Sequence, residues 1–397
     1  MKTKIITIGL FVITAAIVGL YPVFEKNRSI TAIDPSTITA QSPPVIEAVF
    51  VLDTTGSMSG LIDAAKEKIW SIAGTMATAE QAPEIRIGLV GYRDRGDVYV
   101  TKITDLSSNL DSVYTTLMGF QAGGGGDGPE SVNKALYDAV HNISWSQNDE
   151  TYKVIFLIGD APPHMDYRWE VKYPETIKFA NQAGIIVNTI QAGEDKQTLD
   201  QWQQIAQLGM GSYLQVGQAG SAVAIATPFD DELATLSREL DGTRLYYGSR
   251  ESQAEQTAKA EETDKVLASA SPAARARRAA FNVSDSGIFN FRGDAELIED
   301  ISSGLVDLAT IDQDELPESF QALAPDEQEV LIKETAAQRS EVKQKIQHLA
   351  EQRSSYLKDQ VAALGGAEGS LDAQLFKAMK DQAAKKGIIY SAEEPEY

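Results

Sequence analysis

The sequence contains no cysteine and only 3 histidines among its 397 residues. Without cysteine the chain has no disulfide, no thiolate zinc site, no cysteine nucleophile and no lipidated cysteine. Basic residues are also scarce, with 35 Lys and Arg against 57 Asp and Glu, and the formal net charge is −22. Because an acidic protein repels phosphate backbones, nucleic acid is not expected as a partner.

The first 28 residues have the pattern of a membrane anchor. Lys2 and Lys4 precede the apolar run Ile5–Phe24, and charged residues follow it at Glu25–Arg28. About 20 apolar residues span a bilayer as a helix, whereas the apolar part of a signal peptide is usually shorter, roughly 7–15 residues, and ends at a small-residue cleavage site. We therefore expect a single-pass transmembrane helix that holds an exported body in the periplasm or outside the cell. A cleaved signal and a secreted protein are the alternative.

Residues 29–43 are rich in Ser, Thr and Pro and are interpreted as a linker. From residue 44 to about 220, strand and helix patterns alternate, which predicts an α/β fold with a doubly wound, mostly parallel sheet covered on both faces. The predicted strands are Val45–Leu52, Ile85–Tyr92, Val98–Leu106, Val154–Ile158, Ile185–Ile190 and Ser212–Val216. The predicted helices are Leu61–Met76, Asn109–Met118, Pro129–His141, Tyr173–Ala183 and Thr198–Leu208.

Residues 221–397 are predicted to be a mainly helical C-terminal region. Helices are expected at Asp230–Leu240 and Glu251–Arg278, and Ile288–Phe320 contains only short apolar patches. A long helix is expected from Pro325 to about Leu364, where Gly365 and Gly366 end it. Its spacing predicts an amphipathic stripe of Val342, Ile346, Leu349, Arg353 and Tyr356.

Three separate segments place oxygen-bearing side chains after predicted strands. Asp53, Thr55 and Ser57 form a D-x-T-x-S pattern after the first strand, Asp160 follows the strand that ends at Ile158, and Asp127 lies in a glycine-rich loop between them. Ligands of open α/β sheets bind beyond the carboxyl ends of strands where the strand order reverses. If the two strands are neighbours there, these side chains share one crevice. Carboxylates and hydroxyls suit Mg²⁺, Mn²⁺ or Ca²⁺.

This order of motifs resembles the metal-ion-dependent adhesion site of von Willebrand factor type A (VWA) domains, over about residues 44–220. The resemblance implies that Thr55 and Ser57 bind the cation directly and that Asp53 and Asp160 hold its coordinated waters. Asp127 stands where many members have threonine, which adds one negative charge to the loaded site. A partner's Asp or Glu should then complete the coordination shell less readily. Residues 221–364 resemble, more loosely, the tails of bacterial exported proteins that bear this domain.

The resemblance leads us to expect a metal-dependent protein-binding module, adhesive or scaffolding, rather than an enzyme. Mg²⁺ is the expected cation, and the protein partner cannot be named from the sequence. One rival is a hydrolase in which the cation activates water and His164 is the base, which requires a deep pocket with His164 facing the ion. The other is an accessory subunit of a ring ATPase, which a cytoplasmic location would support and the N-terminal apolar run argues against.

Each part of the site also has a purely structural interpretation. Asp53 could cap the following helix, and Asp160 could be a solvated loop acid. Asp127 could simply favour the positive end of a helix that starts at Pro129.

The remaining candidate motifs are weaker. The three histidines, His141, His164 and His348, are expected at the surface, and Ser57 lacks the G-x-S-x-G elbow of a hydrolase nucleophile. The glycine-rich loop lacks the G-K-[ST] ending of a phosphate-binding loop. Arg292-Gly293-Asp294, an integrin-ligand tripeptide that is common by chance, is interpreted as a turn.

Overall fold

The computed structural model describes residues 42–126, 128–218, 225–293, 295–363 and 370–395. The chain divides into two compact units, residues 1–42 and 43–397, and the second contains nearly all of the described residues. The predicted anchor Ile5–Phe24 and the Gly365-Gly366 break lie outside the described residues. None of the helices in the described ranges combines the length and apolar character needed to cross a membrane.

A six-stranded sheet forms the centre of residues 43–220. Five strands are parallel and only β3 runs antiparallel, against β2, in the order β3-β2-β1-β4-β5-β6. The sequence therefore predicted the mostly parallel sheet correctly. The strands are β1 Val45–Asp53, β2 Glu84–Tyr92, β3 Thr101–Ser107, β4 Tyr152–Gly159, β5 Ile185–Ala192 and β6 Met210–Val216.

Helices cover both faces of the sheet, as an α/β fold requires for strands that are apolar on both sides. Phe50 and Leu52 of β1 contribute to the core on one face, and Val49 and Val51 contribute to the core on the other. The first five helices are α1 Ser59–Ala77, α2 Leu110–Met118, α3 Val132–His141, α4 Tyr173–Gln182 and α5 Lys196–Leu208. Helices α1 and α2 pack on the Phe50 face, and α3, α4 and α5 pack on the Val49 face.

The C-terminal region is helical, as predicted. The helices are α6 Asp230–Asp241, α7 Arg250–Ser269, α8 Pro272–Asn282, α9 Ile288–Arg292, α10 Leu297–Ser302, α11 Glu318–Gln321, α12 Pro325–Ala363 and α13 Leu371–Ala383. The stretch expected as one helix from Glu251 to Arg278 is two helices, because Ser271 caps a new helix whose first residue is Pro272. In the predicted stripe of α12, Val342, Ile346 and Arg353 are buried, and the other two residues are half-buried.

Helix α13 returns to the sheet and closes the Phe50 face. Leu375, Phe376 and Met379 are buried in the same core as β1 and α1. The side chain of Gln382 accepts a hydrogen bond from Tyr152 Oη on β4 (2.7 Å) and donates one to Asn188 Oδ1 on β5 (2.8 Å). The helix that covers this face of the sheet is therefore far from the strands in sequence.

Two boundaries predicted for residues 44–220 were wrong by three residues, and the others differ by two residues or fewer. The third strand was expected from Val98, but it begins at Thr101, and Val98 is an exposed turn residue. Helix α3 was expected from Pro129, but it begins at Val132. Glu130 instead forms an isolated parallel bridge with Pro163, so this segment is held in an extended form by its neighbour in the fold.

Candidate metal-binding site

The site lies where the strand order reverses. Strands β1 and β4 are parallel neighbours, with Leu52 paired to Ile158, while the chain continues from β1 to β2 on the opposite side. Asp53 is the last residue of β1, and Asp160 directly follows β4. The condition on which the predicted crevice depended is met, and these two acids lie at the same edge of the sheet.

The D-x-T-x-S segment folds back on its own first residue. Oδ1 of Asp53 accepts hydrogen bonds from the backbone N–H of Thr55 (2.8 Å) and from its hydroxyl (2.7 Å). Thr55 Oγ1 lies 3.4 Å from Ser57 Oγ, so two hydroxyls and one carboxylate converge. Asp53 is completely buried, whereas Ser57 is exposed. Oδ2 of Asp53 is buried and has no hydrogen-bond partner in the described ranges.

Burial makes the ionised form of Asp53 unfavourable. Desolvation, with a smaller contribution from nearby Asp160, raises the pKa of Asp53 to about 7, although the hydrogen bonds from Thr55 and the charge of Arg93 act in the opposite direction. The phenol of Tyr92 is also buried, and its pKa is raised by burial and by the neighbouring acids. This end of the sheet therefore favours added positive charge.

The glycine-rich loop lies directly on the D-x-T-x-S segment. The backbone N–H of Gly123 donates to Thr54 O (3.1 Å), and that of Gly56 donates to Gly124 O (3.3 Å). Gly124 and Gly125 have φ angles of +79° and +75°, which L-residues with a side chain rarely adopt. The loop can therefore approach the turn this closely only because these positions are glycine.

Arg93 and Asp97 hold this loop from the β2–β3 connection. Arg93 is buried and donates to Thr54 O (3.1 Å) and Gln121 O (2.7 Å), so it links the turn to the loop. Asp97 Oδ2 accepts from Gly125 N (3.1 Å). Neither residue was identified from the sequence, where both belong to a charged turn with no distinguishing pattern.

Asp127 lies outside the described residues, so its predicted place at the cation remains a prediction. Its neighbours Gly126 and Gly128 line an open depression of about 550 Å³, together with Thr55, Ser57 and Asp160. The predicted ligands that the structure describes are thus brought to one place. The alternative interpretation of Asp127 assumed a helix starting at Pro129, and that helix does not begin there.

The structure adds Gln218 and Glu130 to the site. Gln218 Nε2 donates to Asp160 Oδ2 (2.7 Å) and to Ser57 O (3.3 Å). Glu130 is buried and also lines the depression. Glu130 could have been noticed from the sequence because it follows the glycine-rich loop, but nothing in the sequence marks Gln218.

His164 was expected at the surface and is buried. Its Nδ1 lies 2.8 Å from Asp166 Oδ1 and its Nε2 lies 3.4 Å from Asp94 Oδ2, with Tyr167 stacked on the ring. His164 is not among the described residues that line the depression, so the geometry does not support it as a base for a cation-bound water. His141 and His348 are exposed, as predicted.

The described residues include no group of three or more His, Asp or Glu side chains arranged to hold a metal. The candidate site instead combines two hydroxyls with Asp53 and Asp160.

At the Arg292-Gly293-Asp294 tripeptide, Arg292 pairs with Asp300 (2.5 Å) and Gly293 has a φ of +57°, while Asp294 lies outside the described residues.

Comparison with known proteins gives one matching family model and two curated relatives. The sequence profile of the von Willebrand factor A domain matches residues 47–228. A putative ariadne-like RING finger protein of Acanthamoeba polyphaga mimivirus is 29% identical over 123 residues, which cover 30% of this chain and 11% of that protein. The alpha-protein kinase vwkA of Dictyostelium discoideum is 28% identical over 121 residues, covering 30% of this chain and 19% of the kinase. The chain thus matches only about a tenth to a fifth of the length of these relatives.

Among solved structures, the VWA domain of SpRpn10 is 13% identical, with a TM-score of 0.34, and the match covers 44% of this chain and 89% of that one. Proximal thread matrix protein 1 of the mussel byssus is 15% identical, with a TM-score of 0.32 and coverage of 44% and 42%.

Proposed function

Because residues 47–228 of this chain match the family model of the von Willebrand factor A domain, we propose that the protein binds a protein partner through a divalent cation at Asp53, Thr55, Ser57, Asp127 and Asp160. A VWA domain points to protein interaction, and the cation, the partner and the location outside the cytoplasmic membrane are our proposals.

One structural observation is the main support for the proposed metal site. A fully buried carboxylate oxygen, Oδ2 of Asp53, has no hydrogen-bond partner within the described chain. The other oxygen, Oδ1, accepts a hydrogen bond from the hydroxyl of Thr55, and Thr55 and Ser57 both line the open depression. A buried unpaired carboxylate is costly unless positive charge reaches it. Thr55 and Ser57 would bind the cation directly, and Asp53 and Asp160 would hold its waters. All these donors are oxygens, which suits Mg²⁺ first and also Mn²⁺ or Ca²⁺.

The open form of the depression supports protein binding at the cation. Ser57 is exposed, so an oxygen from a partner's side chain could reach a cation held beside it. The glycine-rich loop forms part of the rim and is fixed by Arg93 and Asp97. A fixed rim lowers the ordering cost of binding.

Calorimetric titration of Mg²⁺ tests the metal site. Asp53→Ala should abolish Mg²⁺ binding, and Ser57→Ala should weaken it about tenfold or more. Ser59→Ala, at the exposed start of α1, is the matched control and should bind as the wild type does. If Asp53→Ala binds Mg²⁺ with unchanged affinity, the cation site is wrong. A pull-down from membranes with and without EDTA would then show whether the captured partner requires the cation.

The charge of Asp127 predicts the chemistry of that partner. At an effective dielectric near 20, a unit charge at about 4 Å is worth about 4 kcal/mol before compensation. Asp127→Thr should therefore weaken Mg²⁺ binding and increase the contribution of a partner's carboxylate. Mg²⁺ titration of wild type and variant, with thermal melts alongside, is the measurement. An equal Mg²⁺ affinity with a lower melting temperature would assign Asp127 a structural role only.

The proposed membrane tether rests on the run Ile5–Phe24 in the sequence. Cell fractionation should recover the protein in the membrane pellet with this run still present. Sequencing the N-terminus of the recovered protein measures this directly. A soluble protein that begins near Ile33 or Gln41 would show that the run is a removed signal.

A further inference from the structure

A second groove lies between α1, α8 and α12. Its volume is about 700 Å³, and the described residues that line it include none of those around the proposed metal site. Trp70 and Gly74 of α1, Arg277 and Phe281 of α8, and Arg353 of α12 form parts of its wall. Small side chains on all three helices leave this space open.

Three cationic side chains are buried in this part of the helical body. Lys68 pairs with Asp372 at 3.0 Å, and Arg353 pairs with Asp230 at 2.9 Å. These three cations, Lys68, Arg277 and Arg353, are 5% exposed or less. Two of them thus have a carboxylate within ion-pair distance.

Arg277 differs from the other two because no carboxylate in the described part of the chain forms an ion pair with it. Its one hydrogen bond is a long one from Nη1 to the backbone oxygen of Glu67 (3.4 Å), and its Nε is buried with no hydrogen-bond partner within the described ranges. The guanidinium is thus largely withdrawn from water and has no counter-charge within ion-pair distance in the described part of the chain. A bound anion would therefore supply the counter-charge that Arg277 lacks.

The neighbouring cations make the charged form of Arg277 less favourable. Burial and then the charge of Arg353 lower the pKa of Arg277 to about 10, although nearby acids oppose this. Burial lowers the pKa of Lys68 to about 8, with Arg277 and Arg353 contributing and Asp372 opposing. Three of the described residues that line the groove are cationic (Arg277, Arg353 and Lys358) and one is acidic, whereas the whole chain has a formal net charge of −22.

The lining of the groove supplies further donors for an anion. Ser354, Ser355 and Lys358 line it and carry such donors. The hydroxyls of Thr78 and Ser284, which also line the groove, already donate to Thr75 O (2.8 Å) and Phe281 O (2.7 Å). Glu351 is the one carboxylate among its described lining residues, and that residue is exposed. A guanidinium binds the oxygens of a phosphate group in a bidentate manner, and hydroxyls donate to the remaining oxygens.

We propose that the groove between α1, α8 and α12 binds a phosphate group, held by the guanidinium of Arg277 with support from Arg353 and Lys358. The groove is larger than a phosphate ion, so the group would belong to a small phosphate-bearing molecule. This proposal is independent of the cation site, because the two depressions share no described lining residue.

Titration of inorganic phosphate into the full chain tests the proposal, with EDTA present so that the cation site plays no part. Phosphate should raise the melting temperature relative to chloride at equal ionic strength, and calorimetry should give a saturable isotherm. Arg277→Gln should weaken phosphate binding at least tenfold. Arg275→Gln is the matched control: it removes the same charge from the same helix, but Arg275 lines a different groove, and phosphate binding should be retained.

In chloride buffer, Arg277→Gln should melt no lower than the wild type, because it removes an unpaired buried charge. If that variant does not fold, Arg277→Lys replaces it; it keeps the charge, loses the bidentate geometry and should bind phosphate more weakly. The proposal is overturned if phosphate does not stabilise the wild type, or if it stabilises wild type and Arg277 variants equally. Equal stabilisation by acetate would also overturn it, since the groove would then take any small anion.

Discussion

Asp53 is a fully buried carboxyl group, and burial raises its pKa from 3.8 to about 7. Below about pH 4 the folded and unfolded states both hold this proton. Between about pH 4 and pH 7 the folded state holds more protons than the unfolded state, so the free energy of unfolding of the cation-free protein falls as the pH rises. A shift of this size corresponds to at most about 4 kcal/mol, and this contribution is fully lost above pH 7.

Asp53→Asn should remove this part of the pH dependence, because an amide does not titrate. Urea unfolding in EDTA at pH 5 and pH 8 is the measurement. The wild type should lose more stability between the two pH values than Asp53→Asn does. Asp63→Asn, at an exposed position on α1, is the control and should behave as the wild type. Identical losses in wild type and Asp53→Asn would mean that Asp53 is not destabilised by burial.

Gly159 is required because a Cβ at this position would collide with the Tyr92 hydroxyl and lie 3.0 Å from Asp53 Cβ. Gly159→Ala should therefore lower the free energy of unfolding by about 1–3 kcal/mol. Removing the obstructing oxygen with Tyr92→Phe in the same chain should recover much of this loss. Gly126→Ala, where a Cβ meets nothing within 4 Å, is the control. Denaturant unfolding of the four proteins measures the effect, and a double variant no more stable than Gly159→Ala would exclude this collision as the cause.

At the scale of elements, strands β1, β2, β4 and β5 could be predicted because their apolar runs are buried on both faces. Val98 is an exception, because it is apolar but 91% exposed. A prediction from apolar composition alone therefore started β3 three residues too early, at Val98 instead of Thr101. The start of α3 could not be predicted because the pairing of Glu130 with Pro163 is a tertiary contact.

The residues of the candidate site also differ in whether local sequence or tertiary contacts place them there. Asp53, Thr55 and Ser57 are neighbours in sequence, and their hydrogen bonds follow from a local turn. Asp160 follows from the rule that ligands bind where the strand order reverses. Gln218 and Arg93 reach the site through long-range packing, which leaves no mark on the sequence.

The contact between α13 and the sheet rests on a buried amide pair. Gln382 accepts from Tyr152 Oη and from Asn188 Nδ2 (3.1 Å), and donates to Asn188 Oδ1. Gln382→Leu leaves Tyr152 Oη and Asn188 Nδ2 buried and unpaired, while Asn188 Oδ1 keeps its hydrogen bond from Ser212 N (2.8 Å), so the change should destabilise the protein by about 2–4 kcal/mol. Gln344→Leu, the same change at an exposed position of α12, should have little effect. Urea unfolding of both variants checks this, and equal stabilities would mean that the amide pair contributes nothing.

For the whole molecule, the boundary predicted at residue 220 separates the sheet from a helix that completes its core. The side chains of Leu375, Phe376, Met379, Ile388 and Tyr390 belong to the same buried cluster as β1 and α1. The C-terminal segment is also hydrogen-bonded to α1 and the turn after it, since Tyr390 Oη donates to Met76 O (3.1 Å) and Glu80 N donates to Ile389 O (2.9 Å). The sheet-containing domain and the end of the chain therefore form one folded structure.

A chain that stops at residue 363 should lose this cover. Burying each of these five side chains contributes about 1.5–3 kcal/mol, and the sum is comparable to the whole net stability of a typical domain, about 5–15 kcal/mol. The truncated chain should therefore melt far below the full chain or fail to fold, and it should bind a hydrophobic dye such as ANS. A chain that lacks only residues 396 and 397 is the control. If the truncated protein keeps its melting temperature and binds no dye, residues 43–363 are stable by themselves and α13 is a peripheral addition.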